Sequence, residues 1–336
     1  MSLITYCMCL PPAWYVLTVA TYLITGAAGF IGSSLARALL ARGERVRGLD
    51  NFSTGKRQNL EGLGAMDFHE IDLLDLPAVT SACRGVDYVL HQAAIPSVPK
   101  SVADPATSNR ANVDGTVNLL IAARDAKVKR VVYAGSSSIY GESPTLPKHE
   151  GMTPDPISPY AVSKLAGELY MKSFYRVYGL QTVTLRYFNV FGPFQDAASQ
   201  YSGVLAKFIT LMLRGEQPTI FGDGEQSRDF TYIDNVVSAN LLACAAPAQV
   251  AGQVMNAATG SRITLNKTFE VLKKLTGYSG TPMYGPERPG DIKHSLSDSS
   301  LAGKLLGYKP IAGFEEGLAR TVEWYRKQMG VKTASG

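Results

Sequence analysis

Residues 21–50, TYLITGAAGFIGSSLARALLARGERVRGLD, read as a strand, a glycine turn, a helix and a second strand. Tyr22 to Thr25 is a short β-rich run, and Gly26, Gly29 and Gly32 follow at the spacing Gly-x-x-Gly-x-x-Gly. Leu35, Ala38, Leu39 and Leu40 then fall on one helical stripe. Glycines placed this way let backbone approach a pyrophosphate at the helix N-terminus, where unpaired N–H groups and the helix dipole favour negative charge. Asp50 ends the second strand 24 residues after Gly26, where a carboxylate can accept hydrogen bonds from a ribose diol. A glycine triplet alone is a weak sign. Set between a strand and a helix and followed by that acid, it becomes a strong one.

The same acid bears on the cofactor, because a carboxylate there repels a 2′-phosphate and favours NAD over NADP. Lys56 and Arg57 are the nearby cations that could reverse that preference. Next comes DFHEIDLLD (67–75), whose Asp72 and Leu73 lie where an adenine could be gripped by a carboxylate and an apolar side chain. VDYVLHQAAIPSVP (86–99) is a buried strand followed by Ala93 and Ala94, small enough for the chain to pass close to a cofactor. His91 reads as a packed histidine rather than a catalyst, since no acidic partner is near in sequence. Asn112 lies in a helical stretch from about Thr107 to Ala126, where a buried amide commonly ties a helix to a strand. The alternation of strands and helices through residue 135 predicts an α/β fold with a doubly wound parallel (Rossmann) sheet. Ligands of such sheets bind outside the carboxyl ends of the strands.

VKRVVYAGSSSIYG (128–141) is a strand, Arg130 to Ala134, running into Gly135 and three serines at that reactive rim. Ser136, Ser137 and Ser138 alone would be ordinary turn residues. SPYAVSK (158–164) changes their weight. Pro159 suits a helix start and Gly179 a helix end, and good helix formers fill most positions between. Residues four apart on a helix stack about 6 Å apart on one face, so Lys164 can sit beneath Tyr160. A free phenol has a pKa of about 10; a fixed cation and a positive nicotinamide ring lower it toward neutrality, giving a base usable at pH 7. Tyrosine and lysine four apart occur by chance on many helices, so the pair convinces only beside the glycine loop and the serine-bearing strand end.

With 336 residues, 46% of them hydrophobic, the chain can build one large domain or two closely joined ones. The 33 basic and 28 acidic residues are scattered, with no basic arm of the kind that binds nucleic acid. Cys7, Cys9, Cys83 and Cys244 form no Cys-x-x-Cys, and no histidine stands at metal-ligand spacing. Neither a disulfide framework nor a metal site is expected, and a reducing, cytoplasmic location is. The apolar first twenty residues lack the positive start of a secretory signal, and Pro11-Pro12 interrupt them as a membrane span. Residues 1–20 are read as an extension outside the fold, with no membrane partner.

The motifs TGAAGFIG, DNFSTG, SSSIYG, SPYAVSK, LRYFNVFGP, GDGEQSRDFTYIDN and RPGDIKHSLSD together resemble the extended short-chain dehydrogenase/reductase family. They are most similar to its nucleotide-sugar 4-epimerases, over about Thr21 to Lys327. The resemblance implies an NAD-binding Rossmann domain (21–188) carrying the catalytic residues and a smaller, mainly substrate-binding C-terminal lobe (189–330). It implies that Gly26, Gly29, Phe30, Ile31 and Gly32, then Asp50, Asn51, Asp72, Leu73 and Ala93, contact NAD, with Tyr160 and Lys164. The implied reaction has Tyr160, helped by Ser136, take the proton of the sugar 4-hydroxyl while hydride moves to NAD. The 4-keto sugar then turns over and is reduced on its other face. Asn189 and Arg228, with Asp229 fixing the latter, would hold the diphosphate or sugar, as would Arg288 and Asp291, with Ser97, Ser137 and Ser138 near the sugar.

Ser295 stands where related epimerases of plain hexoses carry a bulky residue, which points to UDP-N-acetylglucosamine; Pro96 departs from the glycine of the nearest N-acetyl-type relatives. UDP-glucose and UDP-glucuronate 4-epimerases are the alternatives. A 4,6-dehydratase or a decarboxylase would want acidic residues where Ser137 and Ser138 stand, and a non-catalytic NAD sensor would be expected to lack Tyr160 or Lys164. The family usually pairs two long helices, here about Thr107–Ala126 and Pro159–Tyr178, with their copies, so a homodimer is expected.

Overall fold

The computed structural model describes residues 19–197, 203–287 and 293–331. Seven parallel strands form one sheet: β1 (Thr21–Thr25), β2 (Arg45–Asp50), β3 (Asp67–Glu70), β4 (Tyr88–His91), β5 (Arg130–Ser136), β6 (Thr182–Tyr187) and β7 (Gln253–Ala257). Their order across the sheet is β7-β6-β5-β4-β1-β2-β3. The direction of winding reverses between β1 and β4, which opens a crevice at the carboxyl ends of those two strands. This is the doubly wound architecture that the sequence predicts.

Covered on both faces, the strands alternate between two cores. On β1, Ile24 packs into the layer with Leu35 and Leu39 of the helix Phe30–Ala41, while its neighbour Leu23 packs into the opposite layer with Val89, Tyr133, Met171 and Phe174. Val131 and Val132 of β5 divide in the same way. The helix Pro159–Tyr178 begins and ends where the sequence places it, with Ser158 capping the Ala161 N–H and Gly179 in the left-handed conformation (φ +70°). It is fastened to β6 by a buried two-pronged pair: Arg186 Nε and Nη2 lie 2.9 and 2.7 Å from the two Glu168 oxygens.

The stretch expected as one helix from Thr107 to Ala126 is instead Pro105–Asn109, a wider five-residue turn at Arg110–Asp114, and Gly115–Asp125. Asn112 sits in the wide turn. Its Oδ1 accepts the Ile95 N–H at 2.7 Å and its Nδ2 donates to Ser163 Oγ at 2.9 Å. A single widened turn of this kind is a common way to aim one side chain.

Residues 189–330 are not one contiguous lobe. They return to the large sheet to supply β7 and the helix Ile233–Ala245 that packs beside it. The remainder carries three two-stranded pairs: Val190–Phe191 with Thr231–Tyr232, Ser227–Arg228 with Ile263–Thr264, and Thr219–Phe221 with Met283–Gly285. Among the described residues no helix is long and apolar enough to cross a membrane. Residues 1–18 lie outside the described residues, as do Arg288 and Asp291.

Candidate active site

The glycine loop is shaped first by its own backbone. Gly26 has φ +70°, and a Cβ there would lie 2.8 Å from the Ala93 nitrogen, so only glycine lets β1 pass this close to the end of β4. A Cβ on Gly32 would fall 2.1 Å from the Gly26 carbonyl oxygen. Gly29 differs: a Cβ there would meet only that same oxygen, at 3.1 Å, which leaves the loop open toward the cleft. The helix that follows has no side-chain cap and no acid in its first turn. Its free N–H groups and open backbone fit the pyrophosphate of a dinucleotide.

Asp50 is buried at the end of β2. Its carboxylate accepts the Ala28 N–H at 2.9 Å and the Phe52 N–H at 2.8 Å, yet burial still pushes its pKa above the ordinary carboxylate value. Gly55 closes over it, since a Cβ there would stand 2.8 Å from both carboxylate oxygens. That glycine lies in the DNFSTG motif, but its role depends on a fold-back the sequence does not display. Asn51 Nδ2 donates to Asp72 Oδ2 at 2.9 Å, which fixes the next carboxylate along the cleft beside buried Leu73. The two cations that could have favoured a 2′-phosphate are already engaged: Lys56 with Asp196 and Arg57 with Glu70, each at 2.7 Å. The ribose end therefore fits NAD.

These groups line a single cleft of about 1150 Å³. From the cofactor set it includes the three glycines, Phe30, Ile31, Asp50, Asn51, Asp72, Leu73, Ala93 and Tyr160. From the expected sugar side it includes Ser97, Ser136, Ser137, Ser138, Asn189 and Arg228.

His91 is buried between Thr25 Oγ1, 2.7 Å from Nδ1, and Thr116 Oγ1, 2.9 Å from Nε2; burial drives its pKa down to about 3, so it is neutral and structural. Tyr160 is held from two sides. Its N–H donates to Ser101 Oγ at 3.0 Å, and Ser136, beside its phenol, acts to lower the phenol's pKa. Ser136 in turn lies 2.8 Å from Ser138 Oγ. Lys164 is buried beneath, donating to the Ala134 carbonyl at 3.1 Å, with its ammonium 5.0 Å from the Tyr133 ring.

The protein's own groups do not lower the phenol as the sequence predicts. Burial raises the Tyr160 pKa and outweighs the lowering by Ser136, while burial brings Lys164 down to about 8. Both shifts have one cause: an enclosed site disfavours phenolate and ammonium alike.

On the sugar side, Asn189 adopts φ +35°, tolerable for asparagine, and its Nδ2 donates to the Asp229 carbonyl at 3.1 Å and to Ser295 Oγ at 3.2 Å. Ser295 Oγ also accepts the Asp229 N–H at 3.2 Å, so Ser295 belongs to this junction and does not itself line the cleft. The Asp229 carboxylate, expected to fix Arg228, accepts four hydrogen bonds from Thr259 N–H, Thr259 Oγ1, Gly260 N–H and Ser297 N–H. It thereby joins three distant segments behind the site.

Asn189 and Arg228 also border a second cavity of about 270 Å³, lined by Leu205, Thr219, Phe221, Gln226 and Phe230. Sequence reasoning missed those residues: Gln226 and Phe230 lie in the quoted motif GDGEQSRDFTYIDN without being singled out, and nothing in the order of residues marks Leu205, Thr219 or Phe221. It also missed Phe194 and Gln195 of the cleft wall, which are brought there only by the path of the chain after β6.

Comparison with known proteins agrees with this geometry. The family model described as "NAD dependent epimerase/dehydratase family" matches residues 22–258. A UDP-N-acetylglucosamine 4-epimerase from Methanobrevibacter ruminantium M1, solved with UDP-N-acetylmuramic acid, is 42% identical with a TM-score of 0.89, over 93% of this chain and 99% of that one. A UDP-glucose 4-epimerase from Thermus thermophilus, solved with NAD, is 37% identical with a TM-score of 0.83, over 91% and 99%. A UDP-glucuronate 4-epimerase from Thermodesulfobacterium geofontis is 35% identical over 92% of this chain and 97% of its own. The chain belongs to the NAD dependent epimerase/dehydratase family.

Proposed function

We propose that this protein interconverts UDP-N-acetylglucosamine and its C4 epimer. It is a nucleotide-sugar 4-epimerase, an NAD-dependent isomerase acting on a UDP-sugar. The observation that carries the reading is Tyr160 with Ser136 on the wall of the cleft that also holds the glycine loop and Asp50, and Lys164 buried one turn along the same helix. When bound, NAD would supply the hydride acceptor and, through its positive ring, the lowering of Tyr160 that a base at pH 7 needs and that the protein's own groups do not provide. Tyr160 takes the proton from the sugar 4-hydroxyl, and Ser136 relays it. Lys164 holds positive charge one helical turn below. Asn189 and Arg228, which border both cavities, hold the diphosphate, and the smaller cavity with Phe221 and Leu205 receives the base. Arg288 and Asp291 complete the grip on the nucleotide. The parts of residues 189–330 outside the main sheet form the substrate lobe.

The N-acetyl preference rests on Ser295. A bulkier side chain bonded to Asn189 at that junction would press on the cleft, whereas serine leaves room for an acetamido group. A second reading, UDP-glucuronate, is favoured by Lys100, a cation on the cleft wall three residues from Ser97. Buried thiols at Cys83 and Cys244, neither in a disulfide, support a cytoplasmic setting. A homodimer is supported by the helix Pro159–Tyr178, where Val162, Leu169 and Val177 are 51%, 55% and 66% exposed along one face.

The test incubates the protein separately with UDP-N-acetylglucosamine, UDP-glucose and UDP-glucuronate and resolves each from its C4 epimer. Interconversion is expected, fastest with the N-acetylated sugar, and Tyr160→Phe should reduce turnover by about a thousandfold. A dehydrated or decarboxylated product, or full turnover by Tyr160→Phe, would overturn the reading.

A further inference from the structure

Phe194, Gln195 and Asp196 follow β6 in the chain, yet they line the cofactor cleft together with the glycine loop. Three anchors bring them there. Lys56 Nζ lies 2.7 Å from Asp196 Oδ1, and the Lys56 N–H donates to the Ala28 carbonyl of the glycine loop at 2.9 Å. The Arg37 guanidinium stacks 4.1 Å over the Phe194 ring, while Arg37 Nη2 donates to the Asn59 carbonyl and Asn59 Nδ2 donates to Ala28 again. From the far side, the Phe194 ring packs 5.2 Å from Trp324, and the Tyr325 hydroxyl donates to the Gln195 carbonyl. Phe194 has φ +70°, a conformation bulky side chains avoid and keep only where their surroundings hold them.

We propose that residues 192–197 are a strap across the cofactor cleft, and that the Lys56–Asp196 ion pair is the latch by which it retains NAD. The inference rests on the epimerase reading, which supplies the reason for the device. An enzyme that returns the hydride to the sugar it came from must not lose its cofactor between the two transfers. The strap ties the glycine loop and the ribose-binding loop to the C-terminal helix Phe314–Gln328, so opening the cleft requires breaking the latch. Lys56 and Asp196 act as positioning residues.

The test loads the purified full-length protein with NAD and follows its exchange against excess fluorescent etheno-NAD, with no sugar present. Lys56→Glu and Asp196→Lys each place like charges across the strap and should speed release about five- to tenfold, an effect weakened by salt. The double variant restores opposite charges at partly exposed positions and should return to within about twofold of the wild-type rate. Unchanged release in both single variants overturns the proposal. So does a double variant as leaky as the worse single one, because Lys56 would then act on NAD directly. Since no turnover is read, a failure of the sugar assay refutes the epimerase reading without obscuring this result.

Discussion

On the cofactor side of the cleft the contacts that hold the two carboxylates are short in sequence: the Ala28 N–H reaches Asp50 across 22 residues, and Asn51 reaches Asp72 across 21. On the sugar side Asn189 reaches Ser295 across 106 residues, and Asp229 reaches Ser297 across 68. The first side is fixed by glycines whose positions leave no room for a side chain, Gly26 and Gly32, the second by one buried carboxylate drawing separate segments together. Damage should therefore differ in kind. On the cofactor side it depends on which backbone atom is struck, and on the sugar side it should spread from a single side chain.

The glycine loop offers the sharper break. Gly32→Ala would drive a methyl to 2.1 Å from a carbonyl oxygen of the same loop, with no flexible side chain to yield. A loss of about 3 kcal/mol or more in urea unfolding is expected, together with loss of NAD binding. Gly29→Ala meets only one atom, at 3.1 Å, and should cost less than about 1 kcal/mol. Its methyl would nevertheless stand where the pyrophosphate must come close, so NAD affinity should fall about tenfold, or roughly 1.4 kcal/mol. Equal unfolding losses for the two variants would mean that the loop does not divide its glycines between fold and ligand.

Asp229→Asn probes the other side. The carboxylate presents each oxygen to a pair of donors, Thr259 N–H and Oγ1 on one and Gly260 and Ser297 N–H on the other. An amide keeps one oxygen and turns an NH₂ group on the other pair. About 2 kcal/mol should be lost, with KM for the UDP-sugar rising severalfold and bound NAD unchanged, as measured by unfolding, steady-state kinetics and absorbance of the released cofactor. A parallel loss of NAD would show that the two sides are not separable.

The same contrast explains what could be read from the chain alone. Gly29, Gly32 and Asp50 announce themselves because the constraint and the residues that meet it lie within one strand-helix-strand unit, and Gly26 does so by its spacing from them, although the backbone it must clear is that of Ala93. Tyr160 and Lys164 do so because a helix fixes their spacing. Ser295 was placed by motif, but its bond to Asn189 is a product of the whole fold. Phe194 and Phe221 carry no local sign at all, since an aromatic residue in a loop reads the same whether it packs or binds. The wide turn at Asn112 was invisible for a related reason: the Ile95 N–H that rewards it lies 17 residues upstream, in the loop after β4.

Lys164 lies between the two sides, and its cost can be measured. Burial lowers its pKa to about 8 from the 10.5 of a free lysine, so at neutral pH the folded protein carries an ammonium it would rather not enclose. Between about pH 8 and 10.5 the unfolded chain binds more protons than the folded one, and stability contributed at this residue must rise with pH. Lys164→Met removes the titration, though it also leaves the Ala134 carbonyl without that donor. Activity should be lost, yet the variant should be as stable as wild type or about 1 kcal/mol more stable at pH 7. That advantage should shrink when unfolding is repeated at pH 8.5 and 9.5. Parallel stability profiles across that window would mean that the lysine's protonation is the same folded and unfolded. The enclosed ammonium would then not be a cost in stability at this site.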